Sequence, residues 1–287
     1  MPVNSSFERY IRDVLLGISV GNLLYYGLLS TALWLLFSVV YKKKLRHRKI
    51  SPREPAPGQI RREVWQSLRS IAIWSAINVG VIYATRRGWT RFYGSVDEYG
   101  WGWFVLSFVL MIIAHDAYFY WTHRLMHHPR LYRLVHRDHH LSTSPTVWGS
   151  YAFGPLEAIV QAGICPLVVL TIPVHPGAYA AFMFAQIGFT VVGHCGHEVF
   201  PRWFVQAPIP LLFNTVTQHT LHHEKFRKCF GLYFNTWDRV MGTNDPDYKK
   251  RFTLATTPPA EQAQQPAGPH FEQPEAPKPA APLRKAG

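Results

Sequence analysis

The 28 residues from Val14 to Tyr41 contain no Asp, Glu, Lys or Arg. About 20 apolar residues suffice for a helix to cross a bilayer. In hydrocarbon every backbone N–H and C=O must be paired inside the protein, so a run of this length is confined to a helix. Gly17, Gly21 and Gly27 are compatible with that assignment, because glycine is tolerated in membrane helices. The run is followed at once by Lys42, Lys43, Lys44, Arg46, Arg48 and Lys49, the pattern of a cytoplasmic flank. Further spans are predicted at Val64–Thr85, where Arg69 can snorkel to an interface, and at Trp101–Trp121. Phe153–Val174 and Gly177–Val192 read as an apolar hairpin turning at Pro173–Pro176. The expected fold is all-α: a polytopic membrane bundle of about four or five spans, carrying a cytosolic histidine-rich cap.

Composition agrees with this and excludes other classes. Charged residues make up 16% and aromatics 15%, and the basic residues behind the net charge of +13 sit mostly beside apolar runs. With no zinc-finger or RNP-like motif, a nucleic-acid partner is not expected. Cys165, Cys195 and Cys229 lack CxxC spacing, which argues against a disulfide framework or a thiolate zinc site. Three regions follow: residues 1–99, membrane helices and a basic loop; 100–252, apolar spans with the histidine clusters; and 253–287, a Pro/Ala-rich tail too poor in apolar surface to order itself.

The chemistry is carried by histidine. The chain reads HRLMH (His123 to His127), HRDHH (His136 to His140), GHCGHE (His194, His197) and HTLHH (His219 to His223). Residues three and four apart lie on one helix face, and neutral imidazole is a common transition-metal ligand. The candidate donors are His123, His127, His136, His139, His140, His194, His197, His219, His222 and His223. A four-coordinate zinc would leave most of them idle, whereas two metals with about five ligands each would use them all, and imidazole suits iron. There is no H-E-x-x-H of zinc proteases, no paired Glu-x-x-His of soluble di-iron bundles, no His/Cys/Cys deaminase pattern and no G-x-S-x-G elbow. If the chain crosses the membrane as outlined, the histidine clusters all meet at one face. Asp116, at the end of an apolar run, is the best candidate for an acid supporting a metal-bound imidazole; Asp138, Glu198 and Asp238 are others. A membrane metal transporter or sensor would instead place ligands along the spans.

The stretch HDAYFYWTHRLMHHPRLYRLVHRDHH resembles the D-x-x-x-Y-x-x-H-R-x-x-H and H-x-x-H-H motifs of the fatty acid hydroxylase superfamily, which includes sterol desaturases and C-4 methyl sterol oxidases. GHCGHEVFP resembles its G-H-x-G motif. HTLHHEKF, Gly231 and TWDRVMGT resemble its H-x-x-H-H-x-x-F followed by G and W-D-R-x-x-G. The resemblance runs from about His115 to Thr243. It implies a membrane di-iron oxygenase, an oxidoreductase that uses O2 and two iron ions to hydroxylate or desaturate a lipid such as a sterol or fatty acyl chain. It carries ligand roles onto the ten histidines, although several relatives have tyrosine at the position of His197. His128 and His115 fall outside the ligand motifs, and Cys229-Phe230-Gly231 stands where relatives often have Asn-Tyr-Gly. Carotenoid hydroxylation and aldehyde deformylation are alternatives on the same fold. With no haem, flavin or iron–sulfur motif, the expected electron source is external, a ferredoxin or cytochrome b5. The expected location is the bacterial inner membrane or the endoplasmic reticulum, with the metal site on the cytoplasmic side.

Overall fold

A computed structural model of the protein describes residues 5–205 and 213–262. Among these the regular structure is helical, with three isolated β-bridges and no strands. Four helices are long and apolar enough to cross a membrane. The first, α1 (Ser5–Trp34), continues through a π-helical turn at Leu35–Val40. The others are α2 (Gln59–Arg86), α3 (Gly100–Met126) and α8 (Pro176–Gly193). Leu16, Leu24, Leu28, Trp101 and Val105 on their outer faces are exposed, as a lipid-facing surface requires.

The expected fifth span is broken. Residues 155–171 form two short helices, α6 (Pro155–Ala162) and α7 (Ile164–Thr171), meeting at Gly163. Pro166 explains the break: it has no N–H to give the Ala162 carbonyl, and its ring collides with that carbonyl in a continuous helix. At the break the Val160 carbonyl accepts from the Gly163 amide at 3.0 Å and from the Tyr118 hydroxyl at 2.6 Å.

A strap made of a short 3-10 turn, Val147–Tyr151, and the extended residues after it fastens the bundle where the histidines gather. Residues 147–154 are buried except for the half-buried Trp148 and are held from both sides. Tyr26 of α1 donates to the Trp148 carbonyl at 2.7 Å, and Ser67 of α2 donates to the same oxygen at 3.1 Å. Arg69, expected to snorkel outward, instead donates to the Phe153 carbonyl at 2.8 Å. The strap's backbone acceptors thus find donors from the long helices, which lets irregular chain lie inside the bundle.

Short helices complete the cap: α4 (Pro129–Val135), α5 (Arg137–His140), α9 (Val216–Lys225), α10 (Thr236–Val240), α11 (Tyr248–Thr256) and α12 (Pro259–Gln262). Helical structure therefore runs past residue 252, where the tail was expected to begin. Phe252, fully buried against Val205, Leu221 and Tyr248, anchors α11. From residue 263 on, the tail lies outside the described residues.

Candidate metal centre

Each donor segment is a helix end or a single turn set by local sequence. His123 occupies the last turn of α3, and His127 is its C-cap, with the His127 amide donating to the His123 carbonyl at 3.1 Å. His128 caps α4, where Pro129 takes the first helical position; its Nδ1 accepts from the Arg130 amide at 3.4 Å, so it turns away as a capping group. His136 joins α4 to the one-turn helix α5, which carries His139 and His140. His194 caps the end of α8, and α9 carries His219, His222 and His223.

Nine of the ten candidate histidines converge into two groups. His123, His127, His136, His140 and His222 form one; His139, His194, His219 and His223 form the other. Within each group the ligand atoms all lie within 4.8 Å of one another. The two H-x-x-H-H segments cross over between them. The first sends its i, i+4 pair, His136 and His140, to the five-membered group and His139 to the other. The second sends His219 and His223 to the four-membered group and His222 across. Adjacent residues on a helix point about 100° apart, so a two-residue HH step serves two neighbouring centres.

His197 is not brought in. Gly196 adopts φ +70°, a left-handed conformation that ends any continuation of α8 and reverses the chain. His197 stacks on Phe37 at 5.0 Å, and its Nδ1 donates to the Cys195 carbonyl at 3.0 Å.

The donor set fits metal ions. The Nδ1 atoms of His123, His194 and His222 face the carbonyls of Phe230, Thr190 and Lys228 at 3.0, 2.8 and 2.8 Å. A carbonyl only accepts, so these Nδ1 atoms carry the proton, and in a neutral ring Nε2 is then a bare lone pair. Those Nε2 atoms lie 3.0 Å from Nε2 of His136, His219 and His140 respectively. Nε2 atoms converging this closely suit a shared cation. Neutrality is favoured by burial first and by neighbouring imidazoles second, which hold His136, His139, His140, His219, His222 and His223 well below the usual histidine range. Burial brings His194 down to about 4.

The surrounding carboxylates act at different removes. Glu157, with 0% side-chain exposure, meets Nδ1 of the equally buried His136 at 2.7 Å. It is the acid in direct contact with a candidate ligand, and it was not singled out in the sequence. Asp116 touches none of the nine: its Oδ1 accepts from the amides of Tyr233 and Phe234 at 2.8 and 3.0 Å. Asp238 accepts from the amides of Phe230 and Gly231 at 2.9 and 2.8 Å. Together these two acids pin the 230–234 loop whose Phe230 carbonyl orients His123. Any side chain at Gly231 would press on the Phe234 carbonyl and the Asn214 amide. Glu198 accepts from the amide and hydroxyl of Thr217 at 3.0 and 2.6 Å, docking the start of α9. Asp138 lies 3.7 Å from Arg69, at the surface.

A chamber lies against both groups, lined by His123, His136, His139, His194 and His219 and walled by Phe119, Phe153, Phe189, Val192 and Leu232. Its chemistry is that of an apolar compartment with metal-ligating nitrogen on one side.

Comparison with known proteins bears on what this arrangement serves. Residues 108–243 match the fatty acid hydroxylase family. The chain is 32% identical over 206 residues to a Delta(7)-sterol 5(6)-desaturase of Gibberella zeae, covering 71% of this chain and 61% of that protein. It is 31% identical over 262 residues to a Delta(7)-sterol 5(6)-desaturase of Aspergillus fumigatus, covering 83% and 79%. Against human lathosterol oxidase it is 28% identical over 187 residues, covering 64% and 61%. The match thus spans less than two thirds of the first and third of these relatives. No solved structure matches the chain significantly.

Proposed function

This chain belongs to the fatty acid hydroxylase family, and on that premise we propose that it is a membrane oxidoreductase that uses O2 to desaturate a lipid, a Δ7-sterol at the 5(6) position. The observation that carries this is the pair of histidine groups, with Nδ1 protons committed outward and Nε2 lone pairs converging beside an apolar chamber. The sterol assignment rests on the named activities of the relatives.

His123, His127, His136, His140 and His222 would hold one iron ion, and His139, His194, His219 and His223 the other. Iron bound there would supply O2 activation strong enough to break an unactivated C–H bond. The protein's own part is positional. The backbone carbonyls of Phe230, Thr190 and Lys228 and the Glu157 carboxyl orient the rings of His123, His194, His222 and His136, while the other ligand rings are ordered when an ion binds. Phe119, Phe153, Phe189, Val192 and Leu232 exclude water and leave hydrocarbon as the matching occupant. Hydrogen removal from two neighbouring carbons gives an alkene, so one of the two must be held against the histidines while the other stays within reach.

We assign the electrons to a separate donor of ferredoxin or cytochrome b5 type. Lys42, Lys43, Lys44 and Arg46 are exposed just beyond the end of α1, where Phe37 stacks on His197. This basic patch suits an acidic donor and would place the histidine face in the cytoplasm. The test is purified protein in lipid nanodiscs, with iron counted per chain and lathosterol supplied with O2 and a reductase–cytochrome b5 pair. Two irons and a product with a new 5(6) double bond are expected. A hydroxylated product would discard desaturation, and absence of bound iron would sink the proposal.

A further inference from the structure

Three cavities share walls along α8. The outermost, about 750 Å³, lies between α1, α2 and α8 and reaches Arg86 and Pro176, at the ends of α2 and α8 remote from the histidines. A second, about 60 Å³, shares Asn22, Asn78 and Met183 with it. That cavity shares Phe119, Phe153 and Leu232 with the metal chamber, about 40 Å³. The series is a constricted passage, and a lipid occupying it must displace those three side chains.

Polar groups along the passage are mostly committed to the protein. Gln161 interacts with Glu157, Gln186 with Tyr151 and Thr215 with Glu198 and Tyr248, and the Thr190 hydroxyl donates to the Gln186 carbonyl at 2.7 Å. Two stations are left. Asn22 and Asn78 mark the outer junction. At the other end Asn214 lines the metal chamber with 4% exposure, and its Oδ1 finds no hydrogen-bond partner among the described residues. Its backbone is fixed by the Asn214 amide donating to the Tyr233 carbonyl at 2.9 Å and by the Phe213–Phe234 bridge, and its side-chain oxygen is buried and uncommitted. A buried amide of this kind is costly to leave unpaired and fits a ligand that brings one hydroxyl.

We propose that Asn214 receives the single hydroxyl of the lipid substrate, whose hydrocarbon body lies back along the passage toward the opening between α1, α2 and α8. The choice between stations rests on the sterol assignment above. A sterol's hydroxyl is only a few bonds from its 5(6) carbons, so hydroxyl and reacting carbons must share one chamber. Asn214 shares the chamber with the histidines. Asn22 and Asn78 sit at the level of Met183, ten residues before Gly193 on α8, which is about 15 Å of helix rise.

The test is equilibrium binding to the full chain in nanodiscs, using tritiated lathosterol and its 3-deoxy analogue, with 1-octadecanol and octadecane as a second pair. Wild type should prefer each alcohol over its deoxy partner by roughly tenfold, the worth of one buried neutral hydrogen bond. Asn214→Leu should erase the preference, with Asn214→Ala serving if the leucine variant does not fold, while Asn22→Leu/Asn78→Leu should retain it. Loss of preference in the Asn22/Asn78 variant alone, or in neither, overturns the proposal. A wild-type preference confined to octadecanol and lost at Asn214 would keep the anchor and discard the sterol assignment.

Discussion

Replacing Glu157 by leucine asks whether a metal-binding imidazole here is set by the group behind it. Oε1 of Glu157 lies 2.7 Å from Nδ1 of His136, and the two side chains are 0% and 1% exposed. Leucine leaves that ring N–H facing an apolar surface with no water to take it, a loss of about 1–3 kcal/mol for an orphaned buried donor. At 1.4 kcal/mol per tenfold, that range corresponds to the roughly 10–100-fold loss of metal affinity seen when the outer partner of a ligating histidine is removed. Glu157→Gln keeps a carbonyl oxygen at the same reach and should stay within a few-fold of wild type. Protein in nanodiscs would be titrated with ferrous iron against a graded chelator, with circular dichroism as the folding control. Equal affinity in the leucine variant and wild type would refute the reasoning. A glutamine variant as weak as the leucine one would show that charge, and not the hydrogen bond, sets the ring.

Three other outcomes follow from the same geometry. His139→Ala and His140→Ala remove donors from different groups, so the first should lose more iron, one donor of four against one of five; identical residual iron by mass spectrometry would contradict the split. His197→Ala should keep wild-type iron content, because this ring stacks on Phe37 and bonds the Cys195 carbonyl outside both groups; loss of either ion would overturn that placement. Asp116→Ala strips the acceptor from two buried amides and should cost about 2–3 kcal/mol in unfolding free energy, with a smaller effect on iron than Glu157→Leu, as Asp116 acts on His123 only through the 230–234 loop. An Asp116→Ala variant with unchanged denaturation midpoint and iron content would remove it from the site.

What the sequence disclosed, and what it hid, follows from the range of each signal. The i, i+4 pairings of His123/His127, His136/His140 and His219/His223 are local helix geometry and were legible. The crossover was not, because the faces that α5 and α9 turn toward α3 and α8 are settled by tertiary packing. His197 was misleading for a local reason: H-x-x-H spacing suggests a shared helix face, but a left-handed Gly196 stands between the two rings. Two further signals are local to the chain. Pro166 signals the break that splits the expected fifth span into α6 and α7. Glu157, an acid within an apolar run, meets the same criterion that singled out Asp116. The strap at 147–154 had no local signature, since its acceptors are satisfied by Tyr26, Ser67 and Arg69, each distant in sequence.

The crossover has a consequence for how the protein acquires its ions. His139 and His140 are joined by one peptide bond, as are His222 and His223, so an ion that immobilises a ring of either pair also fixes the backbone of a donor to the neighbouring centre. The first ion thereby bears ordering entropy that the second no longer has to meet, which is positive cooperativity between centres and is reciprocal. Filling should therefore proceed in pairs, with empty and doubly loaded chains predominating at half-saturating iron and chains carrying one ion scarce.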